Sequence, residues 1–479
     1  MIFRRPRMES DRRKSPRDIL LAGFALCYGI YFVRLMLFGL KSWFSGDDLL
    51  NLHYVWSRPV SDLLRGNIFF FNHYQRPMGE AFLYLLYLVF GFNPGPYNVV
   101  RLLLCVSNVC ILYLAAERLS GSREVEVFTV MLAGFHPQLN SVYYDSGMIF
   151  DALAFFFFYS ALALYAHYRR DGRMPGAIQS APIVLLYIAA LASKEIAVSF
   201  PVALLLYELT IGTGRFSRRI RLVLITGFLT LIYVVGKNTG PGSLSAESAY
   251  HPEISLAGYI HTYAHYAGEF LRDSGYLPDS WAAFALAGCL ALALLLRNRL
   301  LIWAALFNLF SILPIAFIPP RNGFAFLVPL AGWGIFGGAL MADLLQRLLG
   351  YTRSLRIAGQ AAVALALFFV VLRPEEKTLR RYLYPVVHQE QFANLETWHS
   401  LQSVLPANPG NKKILALHDP FENGYYLMFL AHLGFNNPAL VVDTPRTLSA
   451  AGRMVSREGY DYVIDYDQGT FFRVPANVQ

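Results

Sequence analysis

Charge is scarce in this sequence. Only 15% of its residues are Asp, Glu, Lys or Arg, against 55% hydrophobic. That scarcity excludes a disordered chain and an ordinary soluble enzyme. Cysteine is scarcer still. Cys27, Cys105, Cys110 and Cys289 all fall inside apolar runs, where they read as packing residues, not disulfides or metal ligands. Neither a Gly-rich phosphate loop nor an HExxH pair is present. No small-residue cleavage site follows MIFRRPRMESDRRKSPRD, so the first apolar stretch reads as an uncleaved signal anchor.

What is abundant is long apolar sequence. Such runs recur from Leu20 to Val371, and the mean hydropathy is +0.40. The expected fold class is therefore mainly α, a polytopic membrane protein. Eleven spans are expected, at 19–40, 97–117, 125–141, 147–167, 179–192, 196–213, 220–236, 278–296, 300–318, 323–346 and 357–373. The segment 77–92 is read as a juxtamembrane helix. That choice gathers the short Arg-rich segments, such as RRDGR and RFSRRIR, on one side. The positive-inside rule then places the basic N-terminus, 1–18, in the cytoplasm. The net charge of +9 thus reads as topology, and no nucleic-acid partner is expected.

The transmembrane domain is expected over 19–373, with an outer loop at 41–96. Residues 237–277 read as a loop followed by an interfacial helix, in which His261 and His265 share a face. Residues 374–479 change character. KILALH, ALVVD, DYVIDY and TFFRV read as strands, with helices in ENGYYLMFLAHLG and TLSAAGRMVSREG. They form a small α/β domain expected on the outer, periplasmic face of a bacterial inner membrane.

This topology places DD (47–48), QRP (75–77), HP (136–137), Asp145, SKE (193–195) and Arg321 on one face. Adjacent carboxylates repel, so one of Asp47 and Asp48 gains a raised pKa suited to a base. SGDD is equally a helix-start signal. The residue types leave the base open between the two, with Asp48 the preferred choice. Lys194, Arg321 and Arg76 can each meet a phosphate, Glu195 can hold Lys194 in place, and His136 can hydrogen-bond a phosphate or hydroxyl. Asp145 and Asp151 flank the start of the fourth span, and His73 stands beside Arg76. A carboxylate one turn inside a span, as Asp151 is, needs a cavity or a cation.

The order DD, QRP, HP, FDALA, SKE, then Arg321 before LVPLAG resembles the GT-C superfamily of glycosyltransferases, over about residues 19–350. The chain is most similar to the polyprenyl-phosphate-sugar-dependent type, which includes protein O-mannosyltransferases and aminoarabinose transferases. The resemblance implies an aspartate base in the first outer loop and a sugar donor carried on a lipid phosphate. Transfer to an acceptor hydroxyl would proceed with inversion. Lys194, Arg321, Arg76 and His136 would meet the donor phosphate. The implied partners are membrane lipid, the donor, and a glycan or protein acceptor. No cofactor beyond the donor is called for, and no motif calls for a divalent metal. HPQLNS places Ser141 where the family often has an acid, and Met148-Ile149 stand where an arginine is common. No repeat near about 34 residues links the C-terminal part to the TPR branch. A transporter or flippase of lipid-linked glycans is the alternative, since it could use the same cationic groove.

Overall fold

The computed structural model describes residues 16–71, 76–170, 172–214, 219–239, 243, 252–271, 277–349, 352–421, 423–445, 454 and 459–475. Apolar α1 (Asp18–Lys41) leads into α2 (Gly46–Trp56) and α3 (Val60–Ile68). The next helix, α4 (Pro77–Phe90), opens on a proline, whose missing N–H costs nothing in a first turn. A hairpin follows, α5 (Pro94–Ser120) and α6 (Arg123–Ala133), turned by Gly121 at φ +67. After α7 (Asn140–Tyr144) come α8 (Ser146–Arg169), α9 (Ala177–Ser193), α10 (Phe200–Thr210) and α11 (Arg221–Asn238). The helical part closes with α12 (Leu256–Phe270), α13 (Asp279–Leu296), α14 (Arg299–Ala316), α15 (Gly323–Leu349) and α16 (Ser354–Val404).

Among the described residues, eight helices are long and apolar enough to cross a bilayer: α1, α5, α8, α11, α13, α14, α15 and α16. This is the architecture of a polytopic integral membrane protein, with eight such helices where eleven were expected. The other three expected spans become α6, α9 and α10, of 11, 17 and 11 residues. At about 1.5 Å per residue none reaches the roughly 30 Å of a hydrocarbon core. Each is cut short by its own sequence. Gly134 and His136-Pro137 stop α6. Lys194 is extended (φ −158°, ψ 147°) and stops α9, and a 3-10 turn at Glu195–Ser199 precedes α10. Burial orders the helices. The most apolar windows of α8 and α15 are 72% and 67% buried, so they form the interior, whereas α13 is only 11% buried and faces outward.

One end of the bundle is tied by arginines. Arg169 donates twice to Glu208, at 2.7 and 2.9 Å, and Arg219 approaches the same carboxylate at 3.5 Å. Arg170 pairs with Glu117, Arg347 with Asp343, and Arg356 with Glu124. The opposite end carries the loop 42–45, the segment 134–145 with its short α7, and the loop 317–322.

The helix α16 runs through the domain boundary expected at 373/374 without a break. Composition changes there, but residues such as Glu375, Leu379, Gln391 and Leu401 propagate a helix as well as the apolar ones do. Pro374 and Pro385 sit inside it. Each follows a wide π turn, Leu367–Leu372 and Leu379–Leu383. A proline ring clashes with the carbonyl four residues back, and a π turn moves that carbonyl aside.

The C-terminal sheet contains β1 (Lys413–Ala416), β2 (Val441–Asp443), β3 (Tyr462–Asp467) and β4 (Thr470–Arg473) in the order β2-β1-β3-β4. The first three are parallel, and β4 is antiparallel to β3. All four fall in the expected segments. The crossover from β1 to β2 is α17 (Tyr426–Gly434). Gln468 and Gly469 both have positive φ, as a two-residue hairpin turn requires. The helix expected in TLSAAGRMVSREG lies largely outside the described residues.

Candidate active site

Ser45 begins the site. Its Oγ accepts the Asp48 N–H at 3.2 Å, and the Asp48 carboxylate accepts the Ser45 N–H at 2.9 Å. This reciprocal cap consumes Asp48, which is buried. The Ser45 hydroxyl donates onward to Asp145 at 3.0 Å, and the Gly147 N–H donates to the same oxygen at 2.9 Å. Burial raises both carboxyls above the ordinary range, and each is pushed further by a neighbour: Asp145 for Asp48, and Asp47 for Asp145. Arg101 is the buried counter-charge for Asp48, held by the Ser146 hydroxyl at 3.1 Å and the Gly39 carbonyl at 2.8 Å. The pair and its arginine form a structural knot below the cap.

Asp47 is one residue earlier, about 100° around the helix, and it faces open space. A cavity of about 500 Å³ is lined by Asp47, Asn51 and Tyr54 of α2, Arg76 and Glu80 at the start of α4, and Gly147, Phe150 and Asp151 of α8. Lys194 and Glu195 close one side. Pro314, Ile315, Ile318 and Phe324 make an apolar wall that ends at Arg321. Gly147 lets the chain pass close to Asp47: a Cβ there would stand 3.1 Å from the Asp47 Cβ. Gly79 does the same for α4, where a Cβ would collide with the Phe150 ring.

The charges in the cavity are ordered. The Lys194 ammonium donates to Asp151 at 2.9 Å and lies 5.3 Å from the Phe324 ring centre. The Arg76 guanidinium donates to both Glu195 oxygens, at 3.0 and 3.3 Å. Burial pushes the Glu195 carboxyl up, but Arg76, Lys237 and Lys194 outweigh it and hold the group at about 2. Asp47 is the opposite case. Burial raises its carboxyl, and Lys194 only partly opposes that. Burial raises Glu80 as well. Arg321 is anchored by its backbone, whose N–H donates to the Tyr266 hydroxyl at 3.2 Å and whose carbonyl accepts from His265 at 3.1 Å. Among the described residues, no group of three or more His, Cys, Asp or Glu side chains is arranged to hold a metal ion.

Six of the ten residues singled out from the sequence therefore meet in one cavity: Asp47, Arg76, Asp151, Lys194, Glu195 and Arg321. Asp48 and Asp145 lie beneath it; Asp48, the preferred choice of base, is buried and engaged in the cap, whereas Asp47 lines the cavity. His136 does not line the cavity. Its Nδ1 accepts the Gln138 N–H, its Nε2 meets the Phe270 carbonyl at 3.1 Å, and its ring stacks on Phe270. It shapes a turn. His73 lies outside the described residues. Sequence reading missed Arg101, Glu80 and Lys237. Arg101 and Glu80 were visible as lone charges inside apolar runs and Lys237 as one at the end of such a run, each costly without a partner.

The C-terminal domain grips the cap. Glu390 accepts the Gly46 N–H at 3.0 Å, Asn394 donates to the Phe44 carbonyl at 3.0 Å, and Gln391 donates to the Tyr144 carbonyl at 2.7 Å. The Tyr426 ring sits against Gly46. Between α2 and α17, His53 and His432 meet nitrogen to nitrogen at 3.0 Å, and the other nitrogen of His432 donates to the Leu440 carbonyl. Two imidazoles can share such a bond only while the acceptor nitrogen is bare. Burial and the charge of His432 lower His53 from 6.5 to about 4. The docked state thus prefers the neutral pair, and an undocked domain binds more protons below about pH 6.5. Docking is expected to weaken as pH falls from about 6.5 towards 4. His53→Gln should flatten that dependence, as read by protease cleavage near 405–412. A pH-independent cleavage rate in the parent would refute it. No protein-family model matches this chain, and no curated protein matches it.

Proposed function

We propose that the protein is a membrane glycosyltransferase that moves a sugar from a lipid-phosphate donor to an acceptor hydroxyl, with Asp47 as base. One observation carries this reading: Asp47 shares a cavity with Lys194 and Arg321, beside an apolar wall. A lipid-phosphate sugar has the same parts in the same order, a polar reacting centre, an anion and a greasy tail.

The chemistry follows from the placement. The acceptor O–H gives its proton to the Asp47 carboxylate while its oxygen attacks the anomeric carbon. The bond from that carbon to the phosphate oxygen breaks on the opposite face, so configuration inverts. The electron pair leaves with the phosphate, whose growing charge Lys194 and Arg321 offset. Glu195 fixes Arg76, and Asp151 fixes Lys194, so neither cation has to be reorganised during reaction. A raised Asp47 carboxyl makes a stronger base near neutral pH.

The test is transfer by purified protein in detergent, supplied with radiolabelled polyprenyl-phosphate sugars. A labelled acceptor is expected. Absence of transfer with every donor, together with movement of a lipid-linked glycan across vesicles, would favour a transporter instead. The rate should fall on acidification, as Asp47 takes up a proton. Lys194→Met should move that fall to higher pH, because the charge that holds Asp47 down is gone. An unmoved or lowered acid limb would sink the assignment.

We propose a bacterial inner membrane as the location, with the Arg-rich end of the bundle cytoplasmic, as the positive-inside rule would have it, and the cavity periplasmic. A membrane-impermeant thiol reagent should then label Lys412→Cys, just before β1, in intact spheroplasts and miss Arg299→Cys. The reverse pattern would invert the topology.

A further inference from the structure

We propose a second ligand site, for the phosphate headgroup of an anionic membrane phospholipid, in the groove between the end of α1 and the middle of α16. Arg34, Arg373, Lys377, Arg380 and Arg381 line an open groove of about 720 Å³ together with one carboxylate, Glu376. None of these residues lines the Asp47 cavity, and the site does not depend on the transferase reading.

Glu376 gathers the cluster. Its buried carboxylate meets Arg34 at 2.5 Å, Arg380 at 2.8 Å and Arg373 at 3.5 Å, and accepts from the Tyr31 hydroxyl at 3.0 Å. One carboxylate cannot neutralise five cations. Residues 373, 377, 380 and 381 lie on one helix face, so the surplus positive charge is concentrated, not spread. Arginines drawn together in this way repel one another unless an anion joins them.

The neighbouring surface says what kind of anion. Phe369 and Val370 are 64% and 69% exposed, one turn before Arg373. Before them α16 is apolar, and after them it is charged. An exposed apolar strip that gives way to cations within one turn matches a phospholipid at the bilayer surface, with tails along the strip and phosphate among the arginines. A free inorganic anion would use the cations and leave the strip idle.

The test uses the full-length protein in neutral detergent. Native mass spectrometry would compare short-chain phosphatidylglycerol with phosphatidylcholine. Phosphatidylglycerol is expected to bind about tenfold tighter, and Lys377→Glu/Arg381→Glu to lose about that factor. Neither residue is ion-paired to Glu376, so the cluster's framework stays. If the double variant fails to fold, Lys377→Gln/Arg381→Gln reads the same site. Lys412→Glu/Lys413→Glu, at the start of β1, removes equal charge elsewhere and should bind as the parent does. Equal loss from the sheet variant, or no loss from the groove variant, overturns the proposal. So does displacement of the lipid by equimolar inorganic phosphate, which would mark a site for free anions.

Discussion

Asp47→Asn is expected to slow sugar transfer by about a thousandfold or more, while Asp48→Asn leaves it within about tenfold of the parent. General-base catalysis contributes roughly 10²–10⁴ in rate, and an amide cannot accept the acceptor's proton. Asp47 lines the cavity, whereas Asp48 is spent on the Ser45 cap and on Asp145. Two buried carboxyls in contact hold a proton between them. An amide at position 48 imitates the protonated member, since its oxygen still accepts from Ser45 and its NH₂ still donates to Asp145. Asp48→Ala is different. It removes the carboxylate half of the reciprocal cap, leaves the Ser45 N–H without its acceptor, and should cost about 1–3 kcal/mol of stability. The measurement is initial transfer rate at matched protein, with a thermal melt of each variant. Should Asp48→Asn be the inactive one, with Asp47→Asn active, the cavity has been assigned to the wrong carboxylate.

The largest loss of stability is expected at the other end of the molecule. Glu208→Gln should cost about 3–5 kcal/mol, the range found when one member of a buried ion pair is removed. The Arg169 and Glu208 side chains are 1% and 0% exposed, and Arg219 leans on the same carboxylate. Tyr165 hydrogen-bonds it too. Neutral glutamine leaves two arginines facing each other without a counter-charge. The comparison is Arg347→Gln, whose ion pair with Asp343 lies where the arginine is 50% exposed. Such a pair contributes about 0–1 kcal/mol. Unfolding of both variants in mixed detergent reads the difference. Equal midpoints would mean that water reaches Glu208.

Much of this was legible in the sequence, for stated physical reasons. Eight apolar helices and four strands fall where hydropathy and alternation put them, because burial in lipid or in a sheet leaves a periodic trace. The sequence placed Asp47, Arg76, Lys194, Glu195 and Arg321 on one face, and they do share a cavity, with Asp151 added, although the eleven spans behind that placement reduce to eight. What failed was local. Apolar composition alone does not distinguish a full crossing from α6 or α9, which are cut short by a Pro after a His and by one extended lysine. SGDD announces a cap, and only the three-dimensional contacts show that Asp48 completes it while Asp47 lines the cavity. His136 gave no sign of its partner, Phe270, more than a hundred positions away. The link from Glu390 to Gly46 was likewise beyond any local pattern.

The unbroken rod α16 imposes a rule of phase. Each residue of a helix advances its face by about 100°, and a π turn carries an extra residue without lengthening the ordinary turns around it. Glu390 and Asn394 therefore meet the start of α2, and Gln391 the end of α7, only because two such turns have wound the far half of the rod to the right angle. One residue inserted or deleted between Arg373 and Glu390 would turn the whole sheet domain to another bearing and pull Glu390 off Gly46. The length of that stretch is fixed by what its far end must reach. The count of residues in the rod is itself a part of the site.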